Sequence, residues 1–289
     1  VDKLQKMEKV ELTEDEKSHI KDTYITVINQ QLEKDKFSKV KESDMSGYKL
    51  SLTGTDLQNV LVKLLETLKN DQTTVDKLNE YLKRSNDQKL IDLSKEKIIG
   101  LLDYFLDFEN ELGLLENLKG WIFVEWSKAN DEEFIRGVNF PSNMLYSACL
   151  KAAGELLNDD KLIEKSNNVI NQIKKYSFNG EFFVDNMVRV NNEFVLTNNI
   201  TETCQYYAFY FNVATKEEYP ILFNTLLTKF GPSRDYEKVY PHIYKSNVLI
   251  GDYLRLFILL RYGYLNDVKE ETISYFYKMA SLTGTIWEH

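Results

Sequence analysis

From about Lys95 onward, amphipathic segments of roughly 12 to 18 residues alternate with short polar loops, and few folds satisfy that pattern. Each segment has one apolar stripe to bury. A short loop forces the next segment to run back beside the last, so neighbours are antiparallel. The product is a stack of helical hairpins, either a solenoid or a closed toroid. No fixed-period repeat is found, which disfavours the solenoid.

The elements can be placed from local signals. Lys95 to Glu109 reads as a helix with Ile98, Ile99, Leu102, Phe105 and Leu106 inward, ended by Gly113. Pro141 opens a helix containing Leu145, Cys149, Leu150, Ala153, Leu156 and Leu157. Asp160 is read as the cap of a partner helix to about Tyr176. Glu181 to Val195 alternates and turns at Asn191-Asn192, as a small hairpin would. Thr201 caps a helix through Phe211, and Pro220 opens one through Phe230. Ser246 to Tyr262 and Asn266 to Ala280 form a final pair.

The chain ahead of residue 95 uses a different vocabulary. Of the 37 aromatic residues only Tyr24, Phe37, Tyr48 and Tyr81 fall in the first 100 positions. Thr13 and Glu16 make a capping box for a helix to about Lys34. Tyr48 to Thr53 alternates as a strand, and a leucine-rich helix follows Asp56. A further helix runs from Thr74 to about Arg84, and Ser85 to Gln88 reads as a linker. We therefore expect two parts, 1–94 and 95–289.

Charge and composition narrow the partners. A net charge of −9 argues against nucleic acid, which wants a basic stripe facing its phosphates. No run approaches the ~18 apolar residues of a membrane span. Two cysteines, Cys149 and Cys204, both in apolar helical patterns, are expected to be free buried thiols. Three histidines without close partners make a metal site improbable, and no phosphate cradle or Ser/His/Asp arrangement is present. No cofactor is expected. No signal peptide precedes the first helix, so a cytoplasmic location is slightly favoured over a secreted one.

Carboxylates in three loop segments, two of them beside tryptophan, carry the chemical interest. Trp offers a flat apolar face for a sugar ring, and a neighbouring carboxylate can act on its hydroxyls or its anomeric carbon. Glu125 lies in Gly120-Trp-Ile-Phe-Val-Glu-Trp126, Glu202 in Thr201-Glu-Thr-Cys-Gln205, and Glu288 in Thr283-Gly-Thr-Ile-Trp-Glu-His289. Each also has a plainer reading: an interhelical plug for Glu125, a favourable dipole partner for Glu202.

These segments, with Glu111-Leu-Gly-Leu-Leu115, Val138-Asn-Phe-Pro-Ser-Asn143, Gly251-Asp-Tyr-Leu-Arg-Leu256 and Met279 to Glu288, occur in an order that resembles the α-L-rhamnosidases of glycoside hydrolase family 78. The resemblance implies a mainly α fold, helical hairpins of a six-hairpin α/α toroid, incomplete in this chain. It implies inverting hydrolysis of terminal α-L-rhamnosyl linkages, with a carbohydrate as partner. Glu288 matches the family's general base. Trp126 and Trp287 match stacking walls of the sugar subsite, Glu125 beside Trp126 a carboxylate that binds sugar hydroxyls, and Glu202 and Gln205, in a matched motif, are further candidate substrate-binding residues. The Asp-Glu-Arg motif that carries the family's general acid is absent from residues 1–94. A catalytically inactive carbohydrate-binding or structural helical protein is therefore the alternative. An open half-toroid would expose an apolar edge and favour self-association. Residues 1–94 resemble, faintly, an uncharacterised family of secreted or lipid-anchored proteins of Gram-positive bacteria, through the Tyr48–Gly54 strand and the helix after it.

Overall fold

The computed structural model describes residues 78–79, 82–83, 88–120 and 122–284. The helices and strand expected within the first 77 residues lie outside the described residues, as do Trp121, Trp287, Glu288 and His289. What is described is mainly helical: antiparallel hairpins with one small sheet, a partial α/α toroid as expected.

Helix α1, Gln88–Leu106, starts two turns earlier than its expected Lys95. Leu90, Ile91, Ser94, Ile98, Leu102 and Phe105 form its buried stripe. Ser94 fits that stripe because its hydroxyl donates back to the Leu90 carbonyl at 2.8 Å. Ile99 and Leu106, expected inward, are exposed, since the stripe follows the 3.6-residue period and they fall beside it. The change in composition near residue 94 thus falls inside a continuous helix.

The short helix α2, Glu132–Ile135, leads into strand β1, Val138–Asn139. Helix α3, Phe140–Leu157, and helix α4, Asp160–Ser177, form the central hairpin. Asn139 caps α3, its Oδ1 accepting from the Ser142 amide at 2.9 Å, and Pro141 sits in the first turn. The cap of α4 is Asp159 rather than Asp160, because Asp159 has the extended backbone that lets its carboxylate reach the Lys161 amide. Gly154 marks where the two helices touch. A Cβ there would lie 2.6 Å from Ile163 Cγ1, so only glycine permits the approach. Higher up, Ser166 donates to the Ser147 carbonyl at 2.7 Å, tying α4 to α3.

The hairpin at Asn191-Asn192 forms as expected, although its strands are shorter than the alternation implied. Strands β2, Asn186–Val190, and β3, Glu193–Leu196, pair antiparallel, and β1 adds to the other edge of β2. Val188 faces Val195 and Val138 faces Met187. Asn191 and Asn192 both hold positive φ, 50° and 66°, as a two-residue turn matched to strand twist requires. Replacing Asn192 with valine should cost ~1–2 kcal/mol, since a β-branched residue resists the left-handed region. Urea unfolding followed by circular dichroism would show it as a lowered midpoint; an unchanged midpoint would contradict the turn assignment.

Helix α5, Glu202–Tyr210, packs on α3 and on helix α7, Tyr253–Arg261. Helix α6, Pro220–Lys229, lies between them in sequence. Helices α8, Leu265–Glu271, and α9, Lys278–Thr283, continue through one wide π turn at Thr272–Tyr277. A second π turn, Val248–Asp252, precedes α7. Both final helices of the sequence reading are therefore interrupted rather than continuous. Cys149 and Cys204 are free and buried, as expected. Among the described residues no helix is long and apolar enough to cross a membrane.

Candidate functional site

Three segments converge on one end of the helices. Thr201 bridges to Tyr244 in parallel, with the Glu202 amide donating to the Tyr244 carbonyl and the Tyr244 amide to the Ile200 carbonyl. This lays residues 244–247 alongside the first turn of α5. The loop from Ile122 to Ser127 meets the same helix, where the Tyr207 hydroxyl donates to the Val124 carbonyl at 3.0 Å.

Glu125 sits at the junction and is 1% exposed. Its Oε2 accepts from the Ser127 hydroxyl at 2.7 Å and from the Thr203 hydroxyl. Its Oε1 accepts from the Gly251 amide at 2.5 Å. Gly251 cannot carry a side chain: a Cβ would lie 2.5 Å from Glu125 Oε1 and 2.4 Å from Ser246 Cβ. Burial pushes the Glu125 carboxyl above the usual range, against the pull of its hydroxyl and amide donors.

Glu202 lies one residue before Thr203 and is wholly buried. Arg234 Nε approaches Glu202 Oε1 at 2.8 Å, with both side chains sealed from solvent. Neither atom has a hydrogen-bond partner by alignment, so the attraction is between charges rather than along an N–H axis. Glu202 Oε2 accepts from the Tyr206 hydroxyl at 3.1 Å and more distantly, at 3.4 Å, from the Ser246 amide. Burial raises its carboxyl and the Arg234 charge opposes that rise.

Ser246 links this pair to a third acid, donating to Asp252 Oδ1 at 2.9 Å. Burial, reinforced by the charges of Glu202 and Glu125, pushes Asp252 up to about 7. Behind α5, Asp185 is completely buried; its Oδ1 accepts from the Thr201 hydroxyl and its Oδ2 from the Thr201 amide, both at 2.8 Å. Burial lifts it to about 8.

Gln205 lies elsewhere. Its Oε1 accepts from the Phe183 amide at 2.9 Å, and its Nε2 donates to the carbonyls of Phe183 and Thr201 at 2.7 and 3.0 Å. A wholly buried amide bound to backbone on both sides is a fastener and has nothing left to offer a sugar. Asn143 does the same for the loop before α2, bonding both polar groups of Leu115. Glu125 and Glu202 are likewise turned inward, so the expectation that their oxygens meet sugar hydroxyls finds no exposed atom to carry it.

Trp126 differs. It is 44% exposed, directly beside Glu125. Phe123 meets its ring edge-on at a centroid distance of 4.9 Å, and Asn247 Nδ2 donates to its carbonyl at 2.8 Å. A partly exposed indole backed by a second ring is a surface on which the apolar face of a sugar can lie. Asp185, Asp252 and Arg234 were not singled out in the sequence. An aspartate inside Phe182-Phe-Val-Asp185 was the available signal, since an acid within an apolar run must be buried with its partners. Among the described residues no group of histidine, cysteine or carboxylate side chains is arranged to hold a metal ion.

No family model matches the chain, and no curated protein matches it. Solved structures do. The chain is similar to a GH78 family rhamnosidase of Bacillus sp. GL1, with a TM-score of 0.60 and 15% identity, over 75% of this chain and 22% of that one. It is also similar to a rhamnosidase from Klebsiella oxytoca with rhamnose bound, with a TM-score of 0.55 and 13% identity, over 75% of this chain and 39% of that one. At such identities the likeness is one of fold: this chain shares the helical architecture of these two structures over the part matched and spans a minor part of each. Nothing in these matches supports the resemblance of residues 1–94 to secreted or lipid-anchored proteins.

Proposed function

We propose that this chain is a glycoside-hydrolase-like protein acting on terminal α-L-rhamnosyl linkages with inversion. The observation that supports it best is Trp126, a partly exposed ring on a sealed carboxylate cluster, within a fold like that of rhamnosidases. In this reading Trp126 and Trp287 form walls for the sugar, and Glu288 takes the proton of the attacking water. Inversion places the leaving-group acid ~6.5–9.5 Å from that base, with water between them. The acid is not among Glu125, Glu202, Asp185 and Asp252, because each is at most 2% exposed and already held by protein donors.

That same burial favours a second reading, a carbohydrate-binding protein without turnover. Two measurements separate them: hydrolysis of an aryl α-L-rhamnoside, and calorimetric titration with L-rhamnose. Turnover that falls ~10²–10⁴-fold in Glu288→Gln supports the enzyme, since a positioned base contributes about that much. Binding without turnover supports the second reading. Neither turnover nor binding would sink both. Self-association belongs to the same proposal, because α8 and α9 bury none of their residues, and Leu265, Ile273, Tyr277 and Leu282 are exposed. Sedimentation velocity over a concentration series should show a mass above that of one chain; a constant single-chain mass would remove it.

A further inference from the structure

We infer that Glu125 is a positioning residue, a buried latch that fixes the Trp126 ring at the rim rather than a group that meets the ligand. The inference rests on the reading of Trp126 as a sugar platform and assigns that platform its support.

The geometry is that of a three-way staple. Ser127 is in the same loop as Trp126, Thr203 is in the first turn of α5, and Gly251 is in the π turn before α7. The Glu125 carboxylate takes a hydrogen bond from each. No other described side chain joins these three segments at one point in the same way. Ser127 is doubly used, since its hydroxyl also accepts from the Ala129 amide at 3.3 Å and so starts the 3₁₀ turn Lys128–Asn130. The residue between Glu125 and Ser127 is Trp126. Its backbone is therefore held on both sides by the latch, and its carbonyl is held by Asn247. With Phe123 against its ring, little freedom is left to the indole.

Burial argues in the same direction. A carboxylate that contacts a ligand keeps an oxygen at the surface, whereas Glu125 is 1% exposed and Trp126 is 44% exposed. Among the described residues no cation is in hydrogen-bond contact with the acid, whose donors are hydroxyls and backbone amides. A neutral glutamine can reproduce that pattern. Its Oε1 accepts from the Gly251 amide, and its Nε2 donates to the Thr203 and Ser127 hydroxyls, which can reverse their roles. A rigid platform binds more tightly than a mobile one because less freedom is lost on association.

The test uses the full chain carrying Trp121→Phe and Trp287→Phe, so that Trp126 is the single fluorophore. Glu125→Gln, Glu125→Ala and Asn247→Ala are compared in that background. Acrylamide quenching of Trp126 should be unchanged in Glu125→Gln and raised in Glu125→Ala, with a smaller rise in Asn247→Ala. In the chain with all three tryptophans, L-rhamnose affinity should stay within about twofold in Glu125→Gln. It should weaken about tenfold in Glu125→Ala, the upper end of what an aromatic stack contributes. If Glu125→Gln weakens binding as much as alanine while quenching stays the same, the carboxylate meets the ligand directly and the inference is overturned. If the parent chain binds no rhamnose, the functional reading fails, and quenching alone decides the latch. If Glu125→Ala does not fold, Asn247→Ala carries the loosened state, and unchanged quenching there overturns the inference.

Discussion

Arg234→Met should lower the unfolding free energy by ~3–5 kcal/mol, the usual cost of removing one member of a buried ion pair. The reason lies in what is left behind. Glu202 loses the guanidinium at 2.8 Å and keeps the Tyr206 hydroxyl, a distant contact from the Ser246 amide and the more remote charge of Arg255. The Ile243 carbonyl loses the Arg234 Nη2 donor at 2.6 Å. Glu202→Leu should cost a similar amount, because it leaves a buried guanidinium without its counter-charge. The double variant should cost no more than either single change, since two apolar side chains can occupy the space of the pair without an unpaired charge. Urea unfolding of the four proteins measures this cycle directly. Two single changes that each cost under ~1 kcal/mol and simply add would show that the pair is not a unit. The loss would be a large share of the stability of a typical domain.

The contrast between what was legible and what was not follows the range of the interactions. Thr201, Pro141, Pro220 and the Asn191-Asn192 turn act within a few residues of themselves, so their roles can be read from the order of the chain. The cap of α4 was displaced by one residue because two aspartates in succession, Asp159 and Asp160, offer the same side chain, and only backbone geometry chooses between them. Glu125 and Glu202 could be named from their neighbours, but their burial could not, since it arises from segments more than forty residues away in sequence. Asn143 and Gln205 show the converse. They belong to the motifs that carry the rhamnosidase resemblance, yet their amides hold the fold together. An amide, donor and acceptor at once, suits a buried backbone group of either kind, and a motif of such residues can mark architecture as readily as chemistry.

The stability of this protein should fall as pH rises from about 5 to about 8, and Asp185→Asn should remove much of that fall. Asp185 has an ordinary value of 3.8 in an exposed chain and about 8 when folded, because burial disfavours its charge. Between those values the folded protein keeps a proton that the unfolded chain has released. The folded state therefore binds more protons, and stability declines with pH at up to about 1.4 kcal/mol per unit for this group. The contribution is fully present below the unfolded value and is lost as pH climbs through the folded one. Asp252, raised to about 7, adds a decline of the same sign over the lower part of the window. Asparagine mimics the protonated acid: its Oδ1 accepts from the Thr201 amide and its Nδ2 donates to the Thr201 hydroxyl. That hydroxyl still accepts from the Cys204 amide at 3.0 Å, so the cap of α5 survives. The variant should gain roughly 2–4 kcal/mol on the parent between pH 5 and pH 8, read from urea midpoints at several pH values. Parallel pH curves for the two proteins would mean that Asp185 is already ionised when folded.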